Sequence, residues 1–388
     1  MAQKTVLITT PILLIGGTEA QTLTLARVLI AAGFRLLVCC YYEFDSSIVA
    51  QFKEAGAEVI LLHLIRSDGR FGPSKIVELI RRLSKTFQRY HPDIVHVQYL
   101  APGLIPIIAA KLSRIPTIFA TVHIAGSIAY GLKAKFLLRL ASHFCTAFFC
   151  VSKGVEEFWF GDSEVLNPEN VQHGRKHFTI YNSIDISKIE QIVNNVNCQE
   201  LKKSLGIDGR PVVGIVGRLA PQKGHTFLLD AMVEVVKKIP DIFLLVIGDG
   251  PLRSSLEEKA RCLGIEQNIQ WFGVLKQEEV YKLYSIMDVF VMPSIYEGFG
   301  LTAAEAMAAG LPVVASSVEG LSEVVVDKET GYLFAPGDSR ALAEKLIELL
   351  SNPEKRIEVG RKGRERVQEL FPMRRFRQSI LSAYEILS

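Results

Sequence analysis

Short apolar runs alternate with longer stretches of helical period along the chain. In the first half the runs fall at 4–9, 35–40, 57–62, 93–98, 117–122 and 146–151, with helical stretches such as 18–32 and 73–90 between them. The runs are read as strands of a sheet covered on both faces. Strand, helix, strand in this order predicts a parallel sheet with helices on both sides. From about Asn182 to Lys203 the pattern turns polar and helix-like, and Asp208-Gly209-Arg210-Pro211 breaks it. A second series starts at Val212, with runs near 212–217, 242–247, 268–272, 288–292 and 312–315. The expectation is one α/β architecture used twice: a domain over 1–190, a linker over 191–210 and a second domain over 211–370. Ligands of open parallel sheets sit beyond the C-terminal ends of the strands. Two such domains facing each other would line one deep cleft.

A length of 388 residues, 49% of them hydrophobic, is enough for two cores. The net charge of +3 gives no reason to expect nucleic acid as a partner. The charge is uneven: residues 1–190 hold 20 Lys/Arg against 15 Asp/Glu, and the remainder 24 against 26. Either ordinary surface scatter or an anionic partner, such as a membrane surface, fits that excess. The cysteines at 39, 40, 145, 150, 198 and 262 form no Cys-x-x-Cys pair and lie mostly in apolar runs. They are read as buried thiols of a reducing, cytoplasmic setting. Lys4 to Ile15 reads as a first strand rather than a leader, because it runs straight into Gly16-Gly17 and a helical pattern. No run reaches about 18 apolar residues, so no spanning helix is expected.

The candidate chemistry is concentrated in the second half. Glu297 and Glu305 stand eight residues apart around the turn Gly298-Phe299-Gly300-Leu301, between a strand-like run and a helical one. Such a turn leaves backbone N–H groups open at a helix N-terminus, a natural anion site. A carboxylate accepts hydroxyl hydrogen bonds well, so the pair suits a polyol beside a phosphate. The spacing alone says little, since Glu156/Glu164 and Glu258/Glu266 share it without the glycine turn. Arg218 and Lys223 lie five apart at a strand-to-helix junction and could neutralise a diphosphate, or simply form a solvated basic loop. Neither a P-loop nor a full dinucleotide fingerprint is present. Gly248-Asp249-Gly250-Pro251 reads as a strand-ending turn that also lets backbone approach a ligand. His123 ends a strand, where both a core histidine and a ligand-facing one are open readings. His96 sits inside a strand and is read as structural. The eight histidines show no metal-ligand spacing, so no metal is expected. The basic helix candidate from Lys133 to Phe144 fits an anionic lipid surface. The expectation preferred for it is packing of Phe136, Leu137 and Leu140 on the sheet.

Taken in order, several segments resemble the retaining nucleotide-sugar glycosyltransferases of family four, formerly group one, which have the GT-B fold. They are Gly16-Gly17-Thr18-Glu19, Val122-His123, Ile180 to Asp185, Gly217-Arg218-Leu219, Lys223-Gly224, Gly248 to Pro251, Pro293-Ser294 and Glu297 through Glu305. The resemblance covers essentially the whole chain. It implies two Rossmann-like domains facing across a cleft, with a last segment, 371–388, crossing back to the first. It implies that Arg218 and Lys223 bind the donor diphosphate, with Gly16, Gly17 and Gly248 beside it. Glu305 would hold the ribose. Glu297 and the amides of Phe299, Gly300 and Leu301 would hold the sugar and its phosphate, and His123 would contact the sugar. The implied activity moves a hexosyl group from a UDP- or GDP-linked sugar to a hydroxyl acceptor with retention. That acceptor is lipid-linked or soluble, acceptor choice lying in loops 41–47, 63–73 and 125–133 of the first domain. No cofactor is implied, the nucleotide sugar being a co-substrate. A catalytically inactive nucleotide-sugar-binding subunit and a glycan phosphorylase remain alternatives. Two departures from the family pattern stand out: Ser183 and Glu319 occupy places where glycine is common.

Overall fold

Wherever two strands pair, they pair parallel. The computed structural model describes residues 3–65, 72–99, 104–124, 132–167 and 174–388. Parts of the loops assigned to acceptor choice, 66–71 and 125–131, lie outside these described residues. The chain divides into two units, Met1–Asn182 with Arg374–Ser388, and Ser183–Met373. Residues 191–210, expected as a linker, belong to the second unit and contain the whole helix Cys198–Ser204 together with the end of Ile186–Asn194.

In the first unit the strands are β1 (Thr5–Thr10), β2 (Arg35–Cys40), β3 (Glu58–Leu61), β4 (Ile94–Tyr99), β5 (Thr117–Val122), β6 (Ala147–Cys150) and β7 (His177–Thr179). They form one seven-stranded sheet in the order β3-β2-β1-β4-β5-β6-β7. The second unit has β8 (Val212–Val216), β9 (Phe243–Ile247), β10 (Ile269–Gly273), β11 (Val289–Met292), β12 (Val313–Ser316) and β13 (Gly331–Phe334). Their order is β10-β9-β8-β11-β12-β13. Both are Rossmann-like sheets, and in each the order reverses beside the first strand, the switch point where such sheets bind ligands. All six residues of β1 are buried, as a strand covered on both faces must be.

The two units share one device at the start of the first strand. Asp93, just before β4, accepts the Thr5 N–H at 2.7 Å, and Asp288, just before β11, accepts the Val212 N–H at 2.8 Å. Each carboxylate ties the entry of the first strand to the strand beside it. At the far edge of the first sheet, the three-residue β7 is secured by side chains. Fully buried Glu156 accepts from Thr179 Oγ1 at 2.6 Å and Arg175 at 2.9 Å, and lies 2.7 Å from His177 Nδ1. The eight-residue pair Glu156/Glu164 thus serves the fold: the Glu164 N–H donates to Glu156 at 3.1 Å.

Two expectations need correction. In the helix Leu132–Phe144 it is Leu138 and Ala141 that are buried, whereas Phe136, Leu137, Leu140 and Phe144 are 67%, 45%, 40% and 40% exposed. The bulky face is turned outward. Of the cysteines, Cys39, Cys40, Cys145 and Cys150 are buried, but Cys198 is only partly so and Cys262 is exposed. Among the described residues no helix is long and apolar enough to cross a membrane.

Candidate functional site

At the C-terminal end of β8 the chain leaves the sheet through Gly217. The Gly217 N–H donates to Ile247 O at 2.9 Å and the Leu219 N–H to Asp249 O at 3.0 Å. The loops after β8 and β9 therefore run backbone against backbone. Gly248 has φ +132°, and a Cβ there would lie 2.0 Å from Gly217 O. Glycine at 248 is required by the neighbouring loop, and its N–H already donates to Gly273 O at 2.7 Å. The chain at Gly248 thus packs closely against the loop that carries Arg218.

Arg218 is exposed, and among the described residues no side chain pairs with its guanidinium. Lys223 closes the short 3-10 turn Pro221–Lys223, which is held at the exit of β11 by the Ile295 N–H donating to Gln222 O at 2.8 Å. From there Lys223 Nζ reaches Glu297 Oε2 at 2.5 Å, both side chains being half-buried. Two groups 74 positions apart in sequence thus meet as an ion pair.

The helix Leu301–Ala308 follows directly. Its N-cap residue, Gly300, is left-handed at φ +95°, and a Cβ there would strike Leu321 Cδ2 at 2.4 Å. No side chain caps this N-terminus. Thr302 Oγ1 donates to Val216 O at 3.3 Å, which holds the first turn at the end of β8. Phe299 is buried with its ring edge-on to Phe371, centroids 5.0 Å apart, anchoring the turn from below. Arg218, the Lys223–Glu297 pair and an uncapped helix N-terminus therefore stand at the C-terminal ends of β8 and β11. Glu319 is exposed at the start of Glu319–Val324, beside Gly320, whose N–H donates to Glu297 O at 3.3 Å.

Glu305 lies half-buried in the second turn of its helix. The hydroxyls of Tyr281 and Tyr284 donate to it at 3.2 and 3.3 Å, and Gln277 Nε2 at 3.5 Å. Burial pushes its pKa up to about 7, against the lowering effect of these donors. A raised carboxyl pKa means the fold favours the protonated form, so Glu305 adds stability at low pH that is lost as pH rises through about 7. A ligand whose hydroxyls donate to Glu305 favours the carboxylate. Binding of such a ligand near pH 7 is therefore expected to release a proton from Glu305. Calorimetry in buffers of different ionisation enthalpy checks this, and the Glu305→Gln variant should lack that component.

In the first unit, Gly16 is extended at the N-cap of the helix Gly17–Ala31, which no side chain caps, and both glycines are exposed. His123 follows β5, half-buried, with Nε2 2.6 Å from Gln98 Oε1. Burial lowers its pKa to about 4, so the imidazole is neutral at pH 7. His96 is fully buried, with Nδ1 2.7 Å from Tyr384 Oη and Nε2 2.7 Å from Thr121 Oγ1. Both of its ring nitrogens are engaged, as a structural histidine requires. Sequence reasoning missed Tyr281, Tyr284 and Gln98. The tyrosines left a signal, since residues three apart on a helix share a face. Among the described residues no group of three or more His, Cys, Asp or Glu is placed to hold a metal.

Comparison with known proteins gives concordant results for the two units. Residues 197–366 match the family model described as "Glycosyl transferases group 1", and residues 15–163 match that described as "Glycosyltransferase Family 4". N-acetyl-alpha-D-glucosaminyl L-malate synthase of Bacillus anthracis is 27% identical over 332 residues, 81% of this chain and 79% of that protein. A 2-deoxystreptamine glucosyltransferase of Streptomyces kanamyceticus is 34% identical over 189 residues, about half of either chain (48% and 49%). Among solved structures, Anabaena Alr3699/HepE in complex with UDP and glucose superposes with a TM-score of 0.80 at 20% identity, covering 98% of this chain and 99% of that one. That likeness shows the GT-B fold. The chain belongs to the group 1 glycosyltransferases, family four.

Proposed function

We propose that this protein moves a hexosyl group from a UDP- or GDP-linked sugar to a hydroxyl acceptor, with retention at the anomeric carbon. The observation that carries the reading is the gathering of Arg218, the Lys223–Glu297 pair and the open helix N-terminus of Leu301–Ala308 at one strand end. Cations and open amides suit a diphosphate, and the two carboxylates suit sugar and ribose hydroxyls. The anomeric C–O bond to the diphosphate breaks as charge builds on the leaving oxygens, which Arg218 and Lys223 stabilise. The acceptor oxygen bonds to the anomeric carbon from the same face, and its proton passes to a leaving phosphate oxygen. Glu305 holds the ribose, Glu297 the transferred sugar, and neutral His123 contacts that sugar. Gly16 and Gly17 keep the role the resemblance implies, as backbone beside the diphosphate. Gly248 supports the Arg218 loop.

Two protein cations supply the charge that a divalent ion supplies elsewhere, so transfer is expected to persist in excess EDTA. Loss restored only by Mg²⁺ or Mn²⁺ would contradict this. Donor identity is tested by thermal shift against a panel of nucleotide sugars. A ligand at a hundredfold its dissociation constant stabilises the fold by about 2.7 kcal/mol. Binding without turnover would favour the inactive subunit, and turnover with inorganic phosphate as acceptor the phosphorylase.

The acceptor side is proposed to work at an anionic lipid surface. Phe136, Leu140 and Phe144 recur every fourth residue on the exposed face of Leu132–Phe144, with Leu137 beside them. Lys135, Arg139 and His143 lie on the same helix, which has no acidic residue. An exposed apolar stripe on a helix whose charged residues are all basic suits an interfacial helix. The Phe136→Ser/Leu140→Ser variant should lose sedimentation with vesicles of anionic lipid at unchanged melting temperature. Absence of sedimentation by the parent protein, or equal sedimentation with neutral vesicles, would contradict the lipid assignment.

A further inference from the structure

Register alone places two side chains next to each other at the end of the first sheet. Gln98 of β4 pairs with Thr121 of β5, and His123 lies two residues beyond Thr121. Side chains two apart in a strand share a face, so Gln98 and His123 meet across the strand pair. His96 and Gln98 share a face of β4 in the same way, and His96 is in turn fixed by Thr121 and Tyr384. The contact between Gln98 Oε1 and His123 Nε2 is 2.6 Å. Gln98 is almost fully buried, and its Nε2 has no acceptor among the described residues. It lines a cavity of about 20 Å³ with His123, Gln21, Asn182 and Ile380, room for about one water.

We propose that Gln98 is the positioning residue for His123: its amide oxygen accepts the Nε2 proton, which fixes the neutral Nε2–H tautomer and leaves Nδ1 as the lone-pair nitrogen. An amide is suited to this task. It accepts one hydrogen bond without carrying charge, so it orients the imidazole without drawing it into the protonated form. The titratable neighbours are consistent with a neutral ring. They are His96 on β4 and Tyr384 on the helix Met373–Ile386, while the helix Gly17–Ala31 offers the neutral Gln21, and among the described residues no carboxylate lines the cavity. The consequence for catalysis rests on the role given to His123 under the proposed function, but the pairing itself does not.

The test uses Gln98→Glu and the near-isosteric Gln98→Met, with ¹⁵N-labelled histidine followed by NMR. In the parent protein His123 should show the Nε2–H tautomer and no titration between pH 6 and pH 8, its pKa being about 4. In Gln98→Glu a carboxylate facing the ring should raise that pKa by about 1–3 units. Gln98→Met should lose the single tautomer. It should lower kcat by about tenfold with little change in nucleotide diphosphate affinity, which a merely structural weakening would not do selectively. An unshifted His123 titration in Gln98→Glu, or an unchanged tautomer in Gln98→Met, overturns the positioning role. Shifted spectra with undiminished transfer leave the pairing standing and overturn instead the assignment of His123 to the sugar.

Discussion

Lys223→Ala is expected to slow transfer by about 10²–10³-fold, the scale seen when one preorganised group facing developing negative charge is removed. The structure gives this substitution a second cost that Arg218→Ala lacks. Lys223 Nζ lies 2.5 Å from Glu297, and both groups are half-buried. Removing the lysine leaves that carboxylate uncompensated where the diphosphate is proposed to bind, so like charges then meet. Arg218 has no partner among the described residues, and its loss removes only attraction. Both variants should weaken nucleoside diphosphate binding, Lys223→Ala the more. Adding Glu297→Gln to Lys223→Ala should recover part of the lost affinity, by double-mutant analysis. Unchanged binding in both single variants, measured by calorimetry, would refute the diphosphate assignment.

The two glutamates should separate in kinetics. Glu297→Gln keeps size but removes charge from the group assigned to the transferred sugar, where charge changes during reaction. It also releases Lys223 from its ion pair. We expect kcat to fall by about 10²-fold while affinity for the sugar-free nucleoside diphosphate holds or rises. Glu305→Gln alters the group proposed to hold the ribose, a part of the donor that does not react. Affinity for donor and for free nucleotide should fall together, by about 10–100-fold for the loss of hydrogen bonds to a charged acceptor. An intact kcat in Glu297→Gln, or intact nucleotide affinity in Glu305→Gln, would remove the corresponding role.

The sheets were legible where strands buried on both faces read as continuous apolar runs, as at β9. Strand β7 was not, since its three residues are held by Glu156, Arg175 and the Thr179 hydroxyl rather than by pattern. Strand β13, Gly331–Phe334, is four residues long and begins with glycine, so it reads as part of a turn. In Leu132–Phe144 the period was clear but its direction was misjudged. The bulkier face was assigned to the core, and the smaller Leu138/Ala141 face is the one that packs. The site residues stood out because glycine, carboxylate and cation cluster at strand ends. Their partners did not. Lys223 meets Glu297, and Gln98 meets His123, through folding and strand register that no local window contains.

The central claim is transfer with retention by the site that Arg218 and Lys223 create. Proton NMR of the reaction, with the donor identified by thermal shift, an acceptor alcohol and EDTA present, follows the anomeric signal of the first-formed product. Our account predicts an α-linked glycoside from an α-linked donor in the parent protein, and none above background from the Arg218→Ala/Lys223→Ala variant. A β-linked first product, or undiminished transfer by that variant, would contradict it.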